Sequence, residues 1–309
     1  MNRLRCQARA CLIALLLASS CGKRAEPIPA SPELARELHL LQTALNTLQE
    51  RYVDEDQVHM ERLVERGLRG MLESLDPFAE LIPHHEAVAI EPVPPDAPAV
   101  EVRAIGEEPL VAVRVFQFTA EMRRALRGPE TTIRALAPEG ILLDVRGALG
   151  DDYPAAAALA EWFLPANTSL GTLLEKGGEP PRVMFTRRSP LELDTRLVVL
   201  IDRETRGPGE WLAAALHVHG RAILVGEPSR GATVIQTTMR LTEDWSVRLT
   251  TGRARDPDGR ELTGTPLMPD IQAQPPADTK ENVDWIYHRG LRVLREMATD
   301  AGWKLPVDP

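Results

Sequence analysis

Residues 140–146 read Gly140-Ile141-Leu142-Leu143-Asp144-Val145-Arg146, and this run decides the fold class. A nearly unbroken apolar stretch is what a strand shows when helices cover both faces of its sheet. Outward from it, strands and helices alternate. Leu110-Val111-Ala112-Val113-Arg114-Val115 predicts a strand, and residues 120–137 a helix before the central run. Downstream come a helix over 154–163, the strand Leu197-Val198-Val199-Leu200-Ile201, a helix over 208–219 and the strand Ala222-Ile223-Leu224-Val225. Two strands with β-branched alternation, 233–241 and 245–253, add an antiparallel section, and a helix over 279–299 closes the chain. The pattern defines an α/β core. No internal repeat is visible.

Upstream the pattern is helical. Ser31-Pro32-Glu33 supplies an N-cap, a first-turn proline and an acid at the positive end of a helix. Leu34, Leu38, Leu41, Leu45, Leu48 and Tyr52 then recur at steps of four and three, the seam of an amphipathic helix. A second helix runs from about residue 57 to 75, with Val64, Leu68, Met71 and Leu75 on one face, and Asp76-Pro77 stops it. Residues 31–90 are read as a helical arm and 91–99 as a proline-rich linker. Residues 100–275 form the α/β core, and 276–309 a C-terminal helix and tail.

The chain has 309 residues, 43% hydrophobic and 26% charged, an ordinary globular composition. Its net charge of −9, with both signs interleaved, argues against a nucleic-acid binder, which would show a basic face. The cysteines are Cys6, Cys11 and Cys21, so the remainder of the chain has no disulfide, thiolate nucleophile or cysteine metal ligand. His84-His85-Glu86 and His217-Val218-His219 are close histidine sets. Residues two apart on a helix do not share a face, so no metal is expected, and no cofactor motif is visible.

Arg3, Arg5 and Arg9 precede a short apolar run, Leu12 to Ala18, which has the form of a signal peptide. The run is too short for the ~20 apolar residues of a membrane span. Its end, Ala18-Ser19-Ser20-Cys21-Gly22, has two readings. It resembles a bacterial lipobox, with Cys21 lipidated and Ala18 standing where leucine is usual; alternatively it is an ordinary cleavage site. Residues 1–21 are thus a signal peptide with a lipobox-like end, and 22–30 a polar tether. The expectation is an exported envelope lipoprotein, membrane-anchored and facing the periplasm.

Several stretches resemble one family in order along residues 36 to 275. Tyr52-Val53 and Gly70-Met71-Leu72-Glu73-Ser74-Leu75-Asp76-Pro77 look like the helical N-terminal segment of the carboxyl-terminal processing peptidases, or tail-specific proteases. The central run resembles that family's strand ending in Leu-Arg-Asn-Asn-x-Gly-Gly. His219-Gly220-Arg221-Ala222-Ile223-Leu224-Val225-Gly226-Glu227-Pro228 is close to its His-Gly-Arg-Ala block. Leu249-Thr250-Thr251-Gly252-Arg253, Asp256-Pro257-Asp258-Gly259-Arg260 and Pro269-Asp270-Ile271 continue the match. The resemblance implies a crotonase-like peptidase core carrying the helical arm.

The departures fall where that family's chemistry lies. Its members usually place a serine nucleophile before a helix and a lysine base in Gly-Lys-Gly-x-x-Gln. Here the nucleophile position is Gly207, in Thr205-Arg206-Gly207-Pro208-Gly209-Glu210, and the base position is Ala232, in Gly231-Ala232-Thr233-Val234-Ile235-Gln236. Gln236, the orienting third group, is retained. The resemblance puts one oxyanion donor on Pro208, which has no N–H. The other falls near Gly150, which is followed by Asp151, a carboxylate that would repel a developing oxyanion. Glycine, proline and glutamate still suit a helix start, so the fold survives such changes. The segment between Leu81 and Leu110 is too short for the PDZ module that most members use to hold substrate by strand addition.

The reading that follows is a degenerate serine-peptidase homologue, a pseudoenzyme that binds a protein or peptide partner or acts as a scaffold. A working endopeptidase with relocated residues is the alternative, with Ser229, Ser189 with Lys176, or Thr205 as candidate groups. Acyl chemistry on the crotonase-like core comes third.

Overall fold

A computed structural model describes residues 31–89, 98–177, 180–188, 190–191, 195–273 and 283–299. The chain forms two compact units, Met1–Gly67 and Leu68–Pro309. Cys21, the signal peptide, the tether and most of the proline-rich linker lie outside the described residues, as does Ser189.

In the first unit, α1 (Pro32–Arg51) starts where the sequence places it. Ser31 Oγ accepts from Leu34 N at 3.2 Å and Pro32 occupies the first turn. Its seam is exposed at Leu34, Leu38, Leu41 and Leu48. A single 3₁₀ turn (Glu55–Gln57) precedes α2 (Met60–Leu75), so α2 starts later than its apolar period suggests.

The second unit gathers residues from Leu68 onward, including the end of α2 that the sequence assigned to the arm. Asp76 ends α2 and fixes the next segment, its two carboxylate oxygens accepting from Phe78 N at 2.9 Å and Thr250 N at 3.0 Å. After it come β1 (Glu80–Pro83) and α3 (His84–Ala89), and then β2 (Val100–Ala104) and β3 (Leu110–Val115). The expected helix over 120–137 is two, α4 (Ala120–Ala125) and α5 (Arg127–Leu136), because Pro129 lacks the N–H that one continuous helix would need. The central run is β4 (Gly140–Asp144), followed by α6 (Tyr153–Ala160), β5 (Ser169–Glu175) and β6 (Arg182–Phe185). Then follow β7 (Arg196–Ile201), α7 (Gly207–Val218), β8 (Ile223–Gly226), β9 (Val234–Arg240), β10 (Trp245–Arg255), β11 (Ile271–Gln272) and α8 (Trp285–Thr299).

One sheet has the order β11-β8-β7-β4-β3-β2, parallel except that β2 runs antiparallel to β3. Every residue of β4 is buried. Successive side chains alternate between the faces: Ile141 and Leu143 join Trp211 and Leu212 of α7 in one core, while Leu142 joins Leu291 and Leu294 of α8 in another. Helices thus cover both faces, the physical reason for the unbroken apolar run. The second sheet is antiparallel, in the order β1-β10-β5-β6 with β9 also on β10. Arg146, just beyond β4, donates to Asp144 at 2.8 and 2.9 Å and to Asp284 at 2.7 and 2.8 Å, tying the α8 segment to the strand end. Burial opposes the charge on Arg146, but the two carboxylates outweigh it and raise its pKa.

His217, in the last turn of α7, lies 2.9 Å from Asp270 Oδ1, while Asp270 Oδ2 accepts from Leu224 N at 2.8 Å. The hydrogen bond to Asp270 raises the imidazole above its ordinary value of 6.5. A folded value above the unfolded one means that the stabilisation is whole below about pH 6.5 and is lost as pH rises through the folded value. The urea midpoint of His217→Gln should therefore fall further below the wild type at pH 5.5 than at pH 8.5. An equal deficit at both would show that the pair carries no charge-dependent stabilisation.

Candidate active-site cleft

The cleft is built where the end of β7 meets the start of β9. Past β7, Asp202 and Thr205 close a turn: the Thr205 hydroxyl donates to Asp202 Oδ1 at 3.0 Å and accepts from Asp202 N at 2.9 Å. Arg206 caps α7, one residue before the cap expected from sequence, so Gly207 and Pro208 fill its first two positions. Gly207 has φ +53°, a left-handed conformation that glycine adopts without strain.

The loop leading into β9 is laced to this helix start. Arg230 N donates to Thr205 O and Gly207 N to Ala232 O, both at 3.0 Å. Glu210, fully buried, reaches across from α7. Its carboxylate accepts from Gly231 N at 3.0 Å, from Ala232 N at 2.9 Å and from the Ser229 hydroxyl. Burial raises the Glu210 carboxyl, and these donors offset part of that rise. Three donors are thus satisfied by one side chain, and the Gly207 and Ala232 backbones sit side by side.

The third wall is the loop after β4. Gly150 has φ +91°, and a Cβ there would stand 2.3 Å from Phe118 O, so only glycine fits. Together these segments line a cavity of about 260 Å³ that Gly150, Asp151, Gly207, Pro208 and Ala232 share with Arg206 and Arg248. Val234, Gln236 and Thr238 complete it, two residues apart on one face of β9. A second cavity of about 440 Å³ adjoins it, lined by Arg69, Leu72 and Glu73 of α2, the segment Pro77 to Leu81, and Arg230. Arg206, Gln236 and Arg248 line both.

The groups singled out from sequence have separate fates. Gly150, Gly207, Pro208, Ala232 and Gln236 all line the first cavity. Gln236 does not turn toward Ala232 alone, since its Nε2 donates to Phe78 O at 2.7 Å. Ser229 does not line the cleft: it is 5% exposed, gives its proton to Glu210 and accepts from Leu267 N at 2.6 Å. Thr205 is fully buried and bonded to Asp202. Ser246 accompanies His84, its Oγ 2.9 Å from Nδ1, a contact that sequence spacing could not reveal. That serine is 1% exposed and lines neither cavity, so the pair fastens the start of α3 to β10. His219 bonds Ser169 O, and His217 bonds Asp270. Among the described residues no group of three or more His, Cys, Asp or Glu side chains is placed to hold a metal.

A helical N-terminal segment, a parallel sheet covered on both faces and a cleft between the start of a helix and a second, antiparallel sheet define a crotonase-like peptidase fold. The family model for peptidase family S41 matches residues 110–273, and the chain belongs to that family. Among curated proteins it is similar to the carboxyl-terminal-processing protease of Synechocystis sp., 27% identical over 186 residues covering 59% of this chain and 43% of that protein. It is also similar to the carboxy-terminal processing protease of Bacillus subtilis, 22% identical over 204 residues covering 63% of this chain and 43% of the relative. The chain therefore spans less than half the length of these relatives. Among solved structures it resembles a candidate peptidase from Parabacteroides merdae, with a TM-score of 0.57 at 15% identity over 81% of this chain and 88% of the other. A lipoprotein from Streptococcus agalactiae has a TM-score of 0.54 at 14% identity, over 83% and 89%.

Proposed function

We propose that this chain is a non-catalytic member of the family, a pseudopeptidase that holds a peptide or protein partner in the cleft. One observation carries the reading: among the described residues no serine, cysteine, lysine or histidine lines either cavity. Acyl transfer to protein needs a nucleophile beside a base, and no serine–lysine or serine–histidine pair is among the described lining residues. At the family's positions stand Gly207 and Ala232, while Pro208 removes one oxyanion donor. The first cavity's lining holds one hydroxyl, Thr238, and one carboxylate, Asp151, with no hydrogen bond between them among the described residues.

A peptide suits the cleft better than a compact metabolite. Strand β9 pairs only with β10, so along its other side its backbone groups have no strand partner among the described residues. An extended chain laid there would find main-chain partners, with the alternate side chains Val234, Gln236 and Thr238 facing the cavity. The segment between Leu81 and Leu110 leaves no space for a separate capture module. A serine-directed phosphonate probe should leave the intact mass of the folded protein unchanged; an adduct at any serine would revive the relocated-enzyme reading.

The same proposal places the protein in the cell envelope, anchored through a lipid on Cys21 and facing the periplasm. Its support is the short apolar run and the Ala18-Ser19-Ser20-Cys21 junction. Mass spectrometry of the mature N-terminus should find a diacylated Cys21. A mature chain starting at another, unmodified residue rules the anchor out.

A further inference from the structure

The geometry points to a carboxylate as the group that the cleft selects, held where its two cavities meet. This rests on the peptide-binding reading and names the chemistry of its ligand. The residues lining both cavities are Arg206, Gln236 and Arg248: two guanidiniums, one carboxamide and no acid. The carboxylates of the lining lie to either side, Asp151 in the first cavity alone and Glu73 and Glu80 in the second alone. In a chain of net charge −9, the residues common to both cavities carry two cations and no acid, with Glu80, 3.9 Å from Arg248, as the acid beside them.

The two arginines are not spent on the fold. Arg206 is exposed at the cap of α7 and makes no ion pair among the described residues. Arg248 is within 3.9 Å of Glu80, beyond hydrogen-bond reach, and its side chain keeps 22% of its exposure. Arg206 also stands at the N-terminus of α7, the positive end of that helix's dipole. The second cavity extends this field. Arg230 lies 3.5 Å from Glu204, an exposed acid, and Arg69 stacks 5.9 Å from the Trp245 ring. Arginine suits the role because its planar fork donates to both oxygens of one carboxylate.

Two sources carry this group, an acidic side chain within a peptide and a free C-terminus. Four short fluorescent peptides separate them: Glu/Ala-rich with an amidated end, Gln/Ala-rich with a free end, Gln/Ala-rich amidated, and Lys/Ala-rich amidated. Anisotropy with the full mature protein should show binding of the first, the second or both, weakening with added salt. Arg206→Ala should weaken that binding about 10-fold, and Arg206→Glu with Arg248→Glu about 100-fold or more. Circular dichroism of the double variant should match the wild type, and its urea midpoint should fall only modestly, by the repulsion that Arg248→Glu sets up with Glu80 across β1 and β10. Binding of the neutral amidated peptide as tightly as the acidic one, or tighter binding of the lysine peptide, overturns the carboxylate inference and leaves peptide binding standing. Binding that survives the double reversal overturns it too. Failure of all four peptides overturns the peptide-binding reading itself.

Discussion

Glu210→Ala should destabilise the folded protein by about 3–5 kcal/mol, a large part of a typical domain's stability. The carboxylate is fully buried and accepts from Gly231 N, Ala232 N and the Ser229 hydroxyl. Truncation strands those buried donors, and each stranded donor costs about 1–3 kcal/mol. Glu210→Gln should cost less, about 1–3 kcal/mol, because one oxygen remains while the new amide nitrogen faces an N–H. The order alanine, glutamine, wild type in urea midpoints checks the clamp. A wild-type midpoint for Glu210→Ala would show that the loop entering β9 is held by something else.

Repair of the family's chemistry should succeed only in stages. Gly207→Ser with Ala232→Lys puts both new groups in one cavity on adjacent backbones, since Gly207 N already donates to Ala232 O at 3.0 Å. Space is no obstacle at 207, where an added Cβ has Gly150 O at 3.9 Å as its nearest neighbour. Three features hold the pair back. Serine at φ +53° is strained by about 1 kcal/mol, Pro208 withholds an oxyanion donor, and Gln236 is engaged with Phe78 O. Hydrolysis of an activated ester by this double variant should stay within about 10-fold of the wild type. Adding Pro208→Ala and Asp151→Gly restores a donor and removes a charge, and should raise the rate by about 100-fold over the double variant. No gain from the quadruple variant, with folding intact, would mean that the cleft has moved away from a catalytic geometry.

The sequence showed most clearly what depends on local period. The run at Gly140–Asp144, the seam of α1 and the glycine-proline start of α7 all carry their structure within a few residues. Long-range pairing was not legible. Strands β1 and β5 gain their place from β10, far along the chain, as when Leu81 aligns with Val247, and β6 then pairs with β5. The break at Leu126 was missed because the apolar period continues across it, although Pro129 was the available signal. At the site, motif order placed Gly207 and Ala232 together, but Glu210 served there only as a landmark. Its role as the clamp needs the two loops in contact. The arginines of the cleft left no trace, since arginine is spread throughout this chain and only folding selects which ones converge.

The central claim is that the family's fold persists here without the means to cut a peptide bond, and the plainest test is cleavage itself. Purified mature protein, shown to be folded, is incubated with unfolded protein substrates and followed by mass spectrometry beside the Ser229→Ala variant. The account predicts no product above buffer for either, because no serine, cysteine, lysine or histidine is among the described residues that line the cleft. Products that persist through repurification of the wild type and vanish in Ser229→Ala would contradict it.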